Sequence, residues 1–229
     1  MESLIRYAPL LAGGAVVTLS LALLSLALAT LLGGLGAAGK LGGGPFLRTL
    51  ALAYTTVVRG APDLVWLFLV YFGGQRLVND ITGALGLGQV AVTPFLAGVF
   101  TIGMIYGAYL TETFRGAYLT IPRGQTEAAM ALGLRGLPLQ RKVVIPQLIR
   151  FALPGYGNVW QVLVKATAIV SVIGLQDLVG LASDAGKSTR EPFVFFSAVL
   201  LAYLLITWVS QTLLGLLERR AAAGFADAR

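Results

Sequence analysis

The chain has no cysteine and no histidine among its 229 residues. Without cysteine there is no disulfide, no thiolate metal site and no thiol nucleophile. Without histidine there is no imidazole base, no triad built on one and no imidazole-ligated zinc. Charge is scarce as well: charged residues make up 12% of the chain, roughly half of the about 25% usual in a soluble domain. What replaces it is apolar. Hydrophobic residues reach 57% and mean hydropathy is +0.82. A soluble fold has no interior large enough to hide that much apolar surface. The composition therefore predicts an all-α polytopic integral membrane protein. The net charge of +7 would suggest nucleic acid in a soluble chain. In a membrane chain basic loops explain it, so no nucleic-acid partner is expected.

A spanning helix needs about 20 mostly apolar residues. Five segments qualify: about Pro9 to Ala38, Pro45 to Gly74, Val90 to Thr111, Ala152 to Leu175 and Pro192 to Leu217. Ala27-Leu28-Ala29 also resembles a signal-peptidase site. The apolar run there exceeds the usual signal core of about 7–15 residues, so the segment is read as a retained span. The 17 basic residues orient the five spans. Lys40, Arg48, Arg115, Arg123, Arg135, Arg141, Lys142, Arg150, Arg219, Arg220 and Arg229 fall on one side. Arg6, Arg76, Lys187 and Arg190 fall on the other. The positive-inside rule puts the first set in the cytoplasm, the N-terminus outside and the C-terminus inside. No second domain is evident, so residues 1–229 read as one membrane domain.

The second span is interrupted by Arg59-Gly60-Ala61-Pro62-Asp63. An ion inside a span costs about 2.5–3.5 kcal/mol on the insertion scale, which makes it a candidate for function. Pro62 suits the first position of a new half-helix. A broken helix offers free N–H groups to a carboxylate and free carbonyls to a cation, as in transporter substrate sites. Asp63 would then attract a cationic substrate side chain, with Glu112 on the third span as a second counter-charge. Two plainer readings stand beside this. Arg59 and Asp63 can neutralise each other as an i,i+4 pair, and Glu112 can be a helix-end carboxylate. Lys165, inside the fourth span, snorkels or pairs with a carboxylate outside this chain. Tyr106 and Tyr109 are read as packing residues.

The longest soluble piece is a cytoplasmic loop of about residues 112–151. Thr126 is a candidate N-cap there, with Glu127 in the first turn, where the helix dipole favours negative charge. Glu127 to Leu132 are good helix formers, and Gly133 ends the run. Composition alone allows a mere interfacial anchor. The spacing says more. Glu127-Ala128-Ala129, three residues, Gly133, nine residues and Val143-Val144-Ile145-Pro146 resemble the EAA motif of permease subunits of bacterial ABC importers. Val143 and Ile145 depart conservatively from the motif's isoleucine and leucine. The resemblance implies a coupling helix that docks on a separate ATPase, with Glu127, Ala128, Ala129, Gly133 and Pro146 as its coupling residues.

Arg59-Gly60-Ala61-Pro62, Gly107-Ala108-Tyr109 and Ile121-Pro122-Arg123-Gly124-Gln125 extend the likeness to the polar amino acid branch of these permeases. Ala185-Gly186-Lys187-Ser188-Thr189 is similar to the members that import basic amino acids or opines. The resemblance implies a multi-pass protein of the bacterial inner membrane that takes up histidine, arginine, lysine, ornithine or an opine. It implies two ATPase copies, a second, homologous but different permease, and a periplasmic binding protein. ATP and Mg would sit on the ATPase, with no cofactor on this chain. Gly180 to Ser188 imitates a phosphate-binding loop but has five residues between its glycines where that loop needs four. It reads as an external turn, and this chain is expected to be no enzyme.

Overall fold

The computed structural model describes residues 2–222 apart from 87 and 89. Arg229, one of the basic residues used for orientation, lies outside the described residues. Every regular element among the described residues is helical. Helix α1 spans Glu2–Gly42 and α2 spans Pro45–Arg59. Helix α3, Asp63–Phe68, passes through a π-turn at Leu69–Gly73 into α4, Gly74–Ala84. Helix α5 is Pro94–Thr120, α6 is Arg123–Ala131 and α7 is the short turn Gly136–Leu139. A second π-turn, Gln140–Val144, leads into α8, Ile145–Ala166, which tightens into a 3-10 stretch at Thr167–Ile173. Helices α9, Leu178–Thr189, and α10, Pro192–Ala222, complete the fold.

Four helical segments are long and apolar enough to cross a bilayer: Glu2–Gly42, Pro94–Thr120, Gly136–Ile173 and Pro192–Ala221. The bent pair Pro45–Arg59 and Asp63–Ala84 reaches the same length and apolarity only when its two helices are taken together, as a broken span or a re-entrant loop.

Apolar residues alone do not hold helices together in lipid, because the tails are as apolar as leucine. Close approach of small residues does. α1 and α5 meet this way. A Cβ placed on Gly33 would lie 2.6 Å from the Leu110 side chain, so only hydrogen fits there. Leu21, Ala22 and Ala29 of α1 and Ala108 and Leu110 of α5 are fully buried. Helix α8 joins this core through Leu163 and Val164.

Three expectations about element limits change. Helix α5 begins later than Val90 and runs past Thr111 to Thr120. Thr111, Thr113 and Thr120 turn their hydroxyls back onto carbonyls one turn earlier, which lets polar residues stay helical. The helix stops where Pro122 forces Ile121 extended. The fourth crossing starts at Gly136 rather than near Ala152, because Arg141, Lys142, Pro146 and Arg150 are absorbed into one rod. Pro146 has no N–H and its ring crowds the carbonyl one turn back. The π-turn before it widens the helix to make room. The stretch read as an external turn is the helix α9. Its Asp177 Oδ1 accepts the Gly180 N–H at 2.8 Å. Leu178, Ala182 and Ala185 bury against α1 and α10.

Candidate translocation site and coupling helix

The axes on either side of residues 60–62 make an angle of 107°. Pro62 causes this. It adopts φ −62 and ψ 141, an extended conformation that caps α3. Its carbonyl accepts from Val65 and Trp66 N–H. Pro62 is thus the residue before the half-helix rather than its first residue. The Trp66 indole donates to the Val58 carbonyl at 3.1 Å, pinning α3 back onto α2. The break is therefore a braced corner.

The two ions at the corner do not pair with each other. Among the described residues no contact within 4.0 Å joins Arg59 to Asp63. An i,i+4 pair needs a continuous helix, and the bend removes that register. Each ion meets a tyrosine of α5 instead. The Arg59 guanidinium lies 4.9 Å from the Tyr109 ring centroid. The Tyr106 hydroxyl is the polar side-chain neighbour of the Asp63 carboxylate. The two rings stack at 5.7 Å. Tyr106 packs in the core as the sequence suggests, and it also faces Asp63, while Tyr109 is exposed beneath Arg59. Their spacing of three, opposite a charged break, was the signal: it puts both on one helix face.

Glu112 stands one turn further along α5 and is doubly paired. Lys40 Nζ lies 2.5 Å from its Oε1, and Arg115 Nε lies 3.0 Å from its Oε2. The Lys40 side chain is only 6% exposed and also donates to Thr55 Oγ1 at 2.6 Å. This cluster fastens the end of α1 to α2 and α5. Lys40 had been read as a loop charge alone, and the continuation of α1 to Gly42 is what brings it inside. A polar cavity of about 390 Å³ lies between the two sets, lined by Lys40, Thr55, Arg59, Tyr109 and Glu112 among others. Asp63 and Tyr106 do not line it. Lys165, exposed on the last turn of α8, forms no ion pair among the described residues.

Helix α6 carries Glu127, Ala128 and Ala129. Only Ala129 is buried, so the helix presents most of its surface outward. Thr126 is not its N-cap. Pro122 is, and the Thr126 hydroxyl donates to the Arg123 carbonyl at 2.7 Å. Gly133 ends the helix with φ +82, in the left-handed region that glycine enters freely. Its N–H donates to Met130 O and the next N–H, of Leu134, to Ala129 O. That closing turn thrusts Leu132 outward at 83% exposure. Pro146 lies at the other end of the motif, beside the π-turn. Gly180 to Ser188 lies within α9, so the imitation of a phosphate loop is helical in structure.

Apolar helices long enough to span a bilayer, a braced break and an outward-facing surface helix are features that suit a transporter permease. The chain belongs to the family described as the inner membrane component of binding-protein-dependent transport systems, which it matches over residues 29–223. It is 47% identical over 211 residues to the histidine/lysine/arginine/ornithine transport system permease protein HisQ of Escherichia coli strain K12, covering 92% of each chain. It is 41% identical to the octopine transport system permease protein OccQ of Rhizobium radiobacter, over 90% of this chain and 88% of that one. A solved amino acid ABC transporter crystallised with histidines matches with a TM-score of 0.79 and 34% identity, over 96% of this chain and 97% of that one. The chain is a permease component of an amino acid ABC importer.

Proposed function

We propose that this chain imports basic amino acids or opines across the bacterial inner membrane, and that Asp63 supplies the counter-charge for the cationic side chain. The observation that carries the reading is the corner at Gly60–Pro62. It holds a guanidinium and a carboxylate on the two sides of the break without pairing them. A basic amino acid carries the complementary pair of charges. Arg59 lines the polar cavity and would meet the α-carboxylate; Asp63, beside Tyr106, would meet the side chain. Glu112 already balances Lys40 and Arg115, so its part in the path is to set the charge of the cavity wall. The relatives that transport histidine, lysine, arginine, ornithine and octopine support this substrate class.

The chain would cross the membrane five times, with the N-terminus outside and the C-terminus in the cytoplasm. Residues 1–229 would form one permease domain, with residues about 112–151 as its coupling region. Helix α6 would dock on a separate ATPase subunit, which binds ATP and Mg and does the hydrolysis. A second, homologous permease and a periplasmic binding protein would complete the importer.

Asp63→Asn tests the substrate reading, since it keeps size and hydrogen bonding while removing the charge. In proteoliposomes holding the whole importer, arginine and lysine uptake should fall about tenfold or more. Uptake of histidine with a neutral side chain, above pH 8, should change little. Unchanged arginine uptake by a fully inserted variant would eliminate the counter-charge.

A further inference from the structure

An apolar cleft of about 690 Å³ opens between α1, α5 and α8, on the end of the molecule that carries α6. Gly34 and Leu41 form one wall, Phe114 and Tyr118 the second, Ile149 and Tyr156 the third. Its inner end is closed by polar and ring contacts. Thr30 Oγ1 lies 3.0 Å from the Tyr156 hydroxyl, and the Tyr156 ring stacks on Phe114 at 6.3 Å. The α1 wall runs from Thr30 to Gly42, which at 1.5 Å per residue is about 18 Å. One leaflet of a bilayer has a hydrocarbon depth of about 15 Å, half of the 30 Å core. The cleft is thus as deep as one acyl chain is long.

Its mouth is basic. The α8 rod is continuous back to Gly136. Arg141, Ile145 and Ile149 recur every fourth residue along it, and all three are exposed. Arg141 thus lies about two turns beyond the wall residue Ile149 on the same rod, across the π-turn Gln140–Val144. It forms no ion pair within 4.0 Å among the described residues. Between Glu127 and Asp177 the chain has no carboxylate at all, while Arg135, Arg141, Lys142 and Lys165 fall in that interval and form no ion pair among the described residues. The deficit must be met from outside the segment. Basic pockets between helices at the cytoplasmic surface are where anionic head groups bind.

We propose that this cleft binds one anionic phospholipid, with an acyl chain between α1, α5 and α8 and the phosphate at Arg141. The site is separate from the polar cavity at Arg59 and stands without the substrate reading. Bound there, the lipid bridges the first turns of α8 to the end of α1.

The glycines of α1 make the test clean. A Cβ on Gly34 meets nothing within 4 Å, and the same holds for Gly13 near the other end of the helix. Gly34→Leu fills the cleft without moving a neighbour, and Gly13→Leu is its control. The assembled importer would be delipidated in detergent, titrated with phosphatidylglycerol or phosphatidylcholine, and read by native mass spectrometry. The unmodified complex and Gly13→Leu should retain phosphatidylglycerol, and Gly34→Leu should lose it. Arg141→Gln should still take up lipid but with its preference for phosphatidylglycerol lowered about fivefold, the worth of one basic side chain at an anionic surface. Retention by Gly34→Leu, an unmodified complex that holds none, or an unchanged preference in Arg141→Gln would each overturn the proposal. Loss of a protein subunit from Gly34→Leu would overturn it too, since a partner helix would then be the occupant.

Discussion

At the scale of single residues, burial without partners marks the charges that matter for stability. Asp177 is fully buried at the head of α9. One carboxylate oxygen caps the helix and the other has no partner. Burial pushes the carboxyl up to about 6 from its ordinary 3.8, although backbone N–H groups at Gly180, Asp177 and Val179 pull the other way. Below pH 3.8 the folded and unfolded carboxyls both hold a proton. Between 3.8 and about 6 the unfolded chain ionises first, and above about 6 the folded protein bears the whole penalty. Stability from this group therefore falls as pH rises through that window and is level above it. Asp177→Asn keeps a good cap and removes the titration. The melting temperature of the solubilised chain should rise on going from pH 7 to pH 5 relative to that of Asp177→Asn. Parallel curves for the two proteins would refute the assignment. Such residues are hard to read in advance. A sequence shows that Asp177 can start a helix only once a helix is suspected, and the glycine-rich run after it suggested a turn.

At the scale of elements, hydropathy marks what faces lipid and says little about where a helix stops. α5 and the α8 rod both continue into stretches whose charges and prolines look like loop. Helical hydrogen bonding goes on regardless, aided by threonine back-bonding on one and a π-turn at Pro146 on the other. The break at Gly60–Pro62 was legible because proline leaves a mark that packing cannot erase. The partners of its two charges were not, since Tyr106 and Tyr109 lie more than forty residues away and only the folded chain brings them together. Helix α6 was legible through its spacing, and its geometry sharpens the coupling test. Gly133 at φ +82 tolerates asparagine far better than a β-branched residue. Gly133→Asn should retain transport while Gly133→Val loses it, with both proteins inserted. Leu132 is exposed, so Leu132→Ser should leave the fold intact. It should still reduce the ATPase recovered with the purified permease, because an apolar knob of this kind contributes about 1.5–3 kcal/mol when buried. Normal transport by Gly133→Val and normal ATPase recovery with Leu132→Ser would reduce α6 to a membrane anchor.

At the scale of the whole molecule, the fold sorts its charges by end. The start of α1 packs on α9 and on the head of α10, where Tyr7 meets Phe195 edge-on and Ser3 bonds Glu191 in the link between them. That end carries Arg6, Lys187 and Arg190. The opposite end gathers Lys40 and Arg115 around Glu112, and there α5 runs on to α6 and to the α8 rod with Arg141, Lys142 and Arg150. On the topology proposed above from the positive-inside rule, the α6 end faces the cytoplasm. A chain without cysteine permits a direct check. Single cysteines would replace Arg76 on α4, Lys187 on α9 and Arg135 between α6 and α7. All three are exposed positions, so access depends on the membrane alone. In intact spheroplasts an impermeant thiol reagent should label the first two and spare the third, and permeabilisation should expose it. Labelling of the Arg135 position from outside would invert the molecule, and helix α6 could then no longer meet a cytoplasmic ATPase.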